Sequence, residues 1–124
     1  MANGFEIIQH GESLVTRAIR SAANTTGVVV KATPGRLYGG LITNYAASGR
    51  FIKIYDKATA PTSSDIPLFT MFAGATGTTP IVSTPLVYGI PFSNGISYRI
   101  TTGQAESDNT APAAGDVNGY LVFT

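Results

Sequence analysis

49-GRFIKIYDKATAP-61 begins on a turn former, alternates apolar and mixed side chains, and ends in a proline-containing connection. Successive strand residues point to opposite faces, so Ile52 and Ile54 share one face while Phe51, Lys53 and Tyr55 share the other. The isoleucine face is the one expected in a core. The second face mixes aromatic rings with charge, as a partly covered surface does. The same alternation separates Tyr55, Asp56 and Lys57, which therefore cannot converge on one catalytic centre. Asp56 falls at the strand end, where a carboxylate ties the turn that opens ATAP. On this reading Arg50, Lys53, Tyr55 and Lys57 are the residues expected to contact a partner.

The same texture extends in both directions. Glycine and proline, 14 and 7 of them, cut the chain into short β-branched and aromatic runs. These are 27-GVVVKAT-33, 36-RLYGGLITN-44, 67-PLFTMFA-73, 96-ISYRITT-102 and 119-GYLVFT-124, with 80-PIVSTPLVYGIP-91 holding one or two further strands broken by proline. No gap between them offers a crossover helix, so the pairing is expected to be antiparallel. Short strands at this spacing predict an all-β fold, an antiparallel β-sandwich or a barrel. The Gly39–Gly40 pair inside a strand run marks a bulge or a close backbone approach. Residues 27–124 form the expected sandwich domain, and residues 1–26 an N-terminal arm or first strand. Within the latter, 12–23 fits either a helix or a strand, and the strand or extended reading is preferred. The connections 58–66 and 103–118 are long and polar, as functional or mobile loops are.

Composition excludes several classes. A chain of 124 residues without cysteine has no disulfide framework, thiolate nucleophile or sulfur metal site. Its first residues carry no basic leader and no long apolar run, so neither a secretory signal nor a membrane span is expected. Only 12% of residues are charged and the net charge is +1, well below the roughly 25% typical of globular domains. A surface so poor in charge suits a protein covered by copies or neighbours. Residues 1–62 carry an excess of positive charge and 63–124 an excess of negative charge; if folding preserved this, head-to-tail contact between copies would be favoured.

Catalytic chemistry finds little support. His10 is the only histidine, and no G-x-S-x-G elbow accompanies it. Asp56, Asp65, Glu106, Asp108 and Asp116 could supply paired carboxylates, but Asp65 and Asp116 sit in turn-like contexts where carboxylates bond local amides. Glu106, Asp108 and Asp116 share a loop that could interest calcium, although the D-x-[DN]-x-[DN]-G pattern is absent and a polar surface loop is the favoured reading. Arg36, Arg50, Lys53 and Lys57, interleaved with Tyr38, Phe51 and Tyr55, form a weak basic patch at this net charge. The expectation is no enzyme, no cofactor, no metal, no nucleic acid and no membrane partner.

Two segments, 35-GRLYGGLITNYAASGRFIKIYDKATAP-61 and 95-GISYRITTGQAESDNTAPAAGDVNGYLVFT-124, carry a resemblance. They combine a G-x-L-x-G strand ending in asparagine (Gly35, Leu37, Gly39, Asn44) with a strand ending in Tyr55–Asp56 and a loop containing Pro61. An aromatic-R-x-T strand follows (Tyr98, Arg99, Thr101), then an A-x-x-D-x-T loop (Ala105, Asp108, Thr110) and a Gly115-Asp116-Val117 turn. This set resembles the small all-β virion proteins of tailed bacteriophages, of the capsid decoration or cement type. The resemblance implies a jelly-roll-like antiparallel β-sandwich with an N-terminal arm, serving as a structural protein on the capsid surface, bound to the major capsid protein as an oligomer. A trimer is expected by analogy with local three-fold positions on a shell. The alternative it leaves open is a receptor- or carbohydrate-binding module of a tail or head fibre, with specificity in the two long loops. A small hydrolase built on Asp56 ranks last.

Overall fold

A computed structural model describes residues 13–76, 81–83 and 88–124. His10, the arm assigned to residues 1–11 and part of the 80–91 stretch lie outside the described residues. The remainder is all-β: β1 (Val15–Arg20), β2 (Val28–Lys31), β3 (Gly35–Asn44), β4 (Arg50–Asp56), β5 (Phe69–Ala73), β6 (Ile81–Ser83), β7 (Ile90–Phe92), β8 (Ile96–Thr101) and β9 (Val117–Phe123). Of the two readings of 12–23, the strand is the one adopted.

Two antiparallel sheets run β1-β9-β3-β6, with β7 also on β3, and β2-β8-β4-β5. The pairings identify the wrap. β1 pairs with β9, β2 with β8, β3 with β6 and β7, and β4 with β5. Strands near the start thus pair with strands near the end, as if one long hairpin had been rolled up. That is the jelly roll.

β3 needs its glycines for two reasons. Register against β9 slips between Leu37 and Gly39, and Gly39 takes a φ of 110°, which side chains resist. Gly40 lies so close to β9 that a Cβ would stand 2.2 Å from the Tyr120 carbonyl oxygen. The bulge and the close approach expected of this pair are both present, one at each residue.

The core lies between the sheets. Ile19, Leu37, Ile42, Val117, Leu121 and Phe123 from one sheet meet Ile52, Ile54, Met71, Ile96, Tyr98 and Ile100 from the other. Ile52 opposes Ile100 and Ile54 opposes Tyr98 across β4 and β8, so directly paired residues share the inner face. The charge asymmetry does not make two poles, because strands from both halves interleave and Arg50 pairs with Asp116.

Candidate functional site

The outer face of the β2-β8-β4-β5 sheet carries the residues expected to contact a partner. Lys53 opposes Arg99 there, Tyr55 opposes Ser97, and Phe51 opposes Thr101. The expectation fails for two of them: Lys53 is 0% exposed and Tyr55 1%. The cover comes from this chain. The connection after β8 folds back over the sheet, placing the Ala105 carbonyl where the Lys53 ammonium donates to it. Thr102 N–H bonds the Thr110 carbonyl at 3.1 Å, and Ser21 Oγ donates to the Ala113 carbonyl at 2.8 Å. A loop fastened at both ends and packed through buried Pro112 is a lid over the sheet.

Arg99 is the centre of this lid. It is 1% exposed. Nε donates to the Thr25 carbonyl at 3.2 Å and Nη1 to the Tyr55 hydroxyl at 3.2 Å. Nη2 donates to the Asp108 carbonyl at 3.0 Å and to Asn109 Oδ1 at 2.7 Å. One guanidinium therefore joins the β1–β2 connection, strand β4 and the loop after β8. The planar fork of five donors is what allows this. Among the described residues neither Arg99 nor Lys53 has a carboxylate at ion-pair distance; their ion pairs are Arg50–Asp116 and Lys57–Asp65. Burial pushes the Lys53 ammonium below its ordinary range; the Asp108 carboxylate opposes this, adjacent Arg99 adds to it, and Glu106 opposes it.

The other two expected contact residues are tied into the chain in different ways. Arg50 directs Nε and Nη2 at one oxygen of Asp116, at 3.0 and 2.8 Å, and is largely buried. Lys57 reaches Asp65 at 2.7 Å and keeps 35% of its side chain exposed. Lys57 thus remains within reach of another molecule. Asp56 also departs from expectation. Its carboxylate accepts from Asn94 N–H at 2.8 Å, Ser93 N–H at 3.1 Å and Gly95 N–H at 3.3 Å. It closes the turn between β7 and β8, which lies against Lys57 and Ala58, rather than the turn within ATAP itself. The ATAP connection is closed by Asp65, which accepts from Thr62 N–H at 2.8 Å.

The loop carboxylates weighed for calcium are placed apart. Asp108 accepts from Gly103 and Thr110 N–H, and Asp116 from Ala113 N–H and Arg50. Among the described residues no group of metal-ligating side chains gathers.

Asp56, Asp65 and Asp108 make the fold acid-sensitive. Burial alone would raise Asp56 and Asp108, but the amides of residues 93–95 and of Thr110 and Gly103 outweigh it and hold both below the ordinary value. The Lys57 hydrogen bond and the Thr62 amide do the same for Asp65. A depressed carboxylate contributes stability that is present above its unfolded value, about 3.9, and lost as pH falls through the lower folded value. Denaturation midpoints should therefore hold from neutrality to about pH 5 and fall steadily below about pH 4. Asp56→Asn should cost about 1 kcal/mol at pH 7 and flatten part of that acid slope. An unchanged slope would remove Asp56 from the account.

One surface feature has no cover among the described residues. From residue 66 to 73 exposure alternates: Ile66, Leu68, Thr70 and Phe72 are exposed, while Pro67, Met71 and Ala73 are buried. Ile66 is 76% exposed, Leu68 50% and Phe72 54%. Phe72 leans on Phe51, ring centroids 4.9 Å apart. The outward row that runs from Ile66 through β5 thus carries no charge and is apolar except at Thr70, along an edge of its sheet. Rows of this kind mark interaction surfaces.

Reading the sequence missed both the Arg99 clamp and this row. A signal existed for each. Arg99 is the one cation in residues 63–124, within a β run that leads into the long loop. 66-IPLFTMFA-73 is apolar on both faces, which a sandwich strand with one solvated face does not need. Comparison with family models, curated proteins and solved structures returned no match.

Proposed function

We propose that this chain is a non-enzymatic structural protein of a tailed-phage virion: a capsid decoration protein that self-associates and docks on the major capsid protein at the capsid surface. The observation that carries the reading is the uncharged, outward apolar row formed by Ile66 and Leu68, in the segment leading into edge strand β5, and by Phe72 on that strand. In a trimer the same row from each copy meets around the three-fold axis, so each copy covers its neighbour's exposed side chains. Covering three half-exposed apolar side chains contributes roughly 3–5 kcal/mol per copy before the entropy of association. Identical copies on a symmetric shell then add avidity to modest individual contacts. A low proportion of charge, 12%, agrees with a surface spent on contacts. Lys57, partly exposed beside Asp65, remains the polar residue of the original set best placed for the capsid-facing side.

The test is pelleting with purified phage shells that lack decoration. The protein should co-sediment and saturate at a fixed number of copies per shell. Protein left in the supernatant at every shell concentration would refute the docking role.

A further inference from the structure

Beside the lid is a groove of about 320 Å³, walled by Thr25 and Thr26, by Pro61, Thr62 and Ser63, and by Arg99 and Asn109. That size lies at the lower end of small-molecule sites. The groove does not depend on the assembly reading; it follows from the hydrogen-bond inventory of its wall.

Among the described residues Arg99 is the only charged one lining it, and none of their carboxylates lies at ion-pair distance from that guanidinium. Four of its five N–H groups have acceptors among the described residues, which leaves one Nη1–H. Asn109 is oriented by its neighbours. Its Oδ1 accepts from both Arg99 Nη2 and the Thr25 hydroxyl, so the oxygen must be the atom facing them. The amide NH₂ is therefore turned the other way, and no acceptor meets it among the described residues. The Thr26 and Ser63 hydroxyls are likewise without side-chain partners there. The wall thus offers a cation, an amide donor and hydroxyls, and no carboxylate. Such a wall favours a ligand rich in acceptors and negatively charged, with hydroxyls of its own.

We infer that the groove between residues 25–27, 60–63 and Asn109 binds an acidic saccharide, its ring carboxylate set toward Arg99 and the Asn109 amide and its hydroxyls toward Thr26 and Ser63. Saccharide carboxylates are planar acceptors that match a guanidinium and an amide donor side by side. Among the described residues no aromatic one lines the groove, so recognition rests on these polar contacts, and affinity is modest, with a Kd on the order of 1 mM.

Amide NMR titration of the intact protein tests this with four probes: glucuronate, N-acetylneuraminate, glucose and inorganic phosphate. At least one carboxylated sugar should shift the amides of Thr26, Thr62, Ser63 and Asn109, with glucose and phosphate at least about tenfold weaker. Asn109→Asp keeps an oxygen for Arg99 and Thr25 but replaces the donor by negative charge; it should retain the spectrum of the fold and weaken binding at least about tenfold. Ser63→Ala, which disturbs no described hydrogen bond, should weaken it a few-fold. Glucose binding as tightly as the acids, phosphate binding in their place, shifts confined to other surfaces, or no shift from any probe overturns the proposal. So does unchanged affinity in both variants.

Discussion

Arg99→Ala is expected to lower stability by about 3–5 kcal/mol, read from the urea midpoint. The substitution deletes four hydrogen bonds from a residue that is 1% exposed. It leaves the Tyr55 hydroxyl without its donor in a buried setting, and frees the Thr25 and Asp108 carbonyls and the Asn109 side chain. An unsatisfied buried polar group costs more than the bond itself was worth. Because Arg99 joins the β1–β2 connection to the loop after β8, the loop should also become cleavable by protease at residues 103–111 before the sandwich unfolds. Arg99→Lys keeps the charge but not the fork, and should recover less than half of the loss. A cost below about 1 kcal/mol for Arg99→Ala would mean that the lid is held by its other ties alone.

Phe72→Glu is expected to abolish self-association while leaving the monomer folded. The side chain is 54% exposed within one copy, so a carboxylate there meets water in the monomer and costs little. In an assembly covered by neighbouring rows, three such carboxylates would be brought together without partners, at several kcal/mol. The association constant should drop by at least about a hundredfold, a loss of roughly 3 kcal/mol. Phe72→Leu, which keeps the row apolar, should retain most of it. Unchanged association in Phe72→Glu would place the contact elsewhere on the chain.

How much of this the sequence disclosed follows from what each residue's partner was. Ile52 and Ile54 were legible as core because alternation along a strand is a local property, and their burial needed only a second sheet. The antiparallel sandwich was legible as a class, since short strands without crossover helices leave little besides a sandwich or a barrel, whereas the jelly-roll wrap depends on pairings between strands far apart in the chain. Lys53 and Tyr55 were misread because alternation assigns a face but not its cover. The cover is a loop some fifty positions later, fastened by Arg99, Ser21 and Thr102. Asp56 was placed at a turn correctly and at the wrong one, because the amides of residues 93–95 approach it through strand pairing with β8.

The short motifs behind the resemblance have a structural content that their spacing did not reveal. Asn44 donates to the carbonyls of Ser48, Ala73 and Gly74. Asp56, Asp108 and Asp116 each accept amides that close a turn, and Arg99 holds the lid. These residues act as ties of the fold. The surfaces assigned to assembly and to ligand binding lie beside them: the β5 row, and the groove rim of Thr26, Ser63 and Asn109.

Assembly as proposed requires that the row from Ile66 to Phe72 be covered by other copies. Sedimentation equilibrium of the wild-type chain measures this without any mutation. The expected mass is three times the 12.9 kDa of one chain, falling to 12.9 kDa for Phe72→Glu. A wild-type mass of 12.9 kDa that does not change with concentration would contradict it.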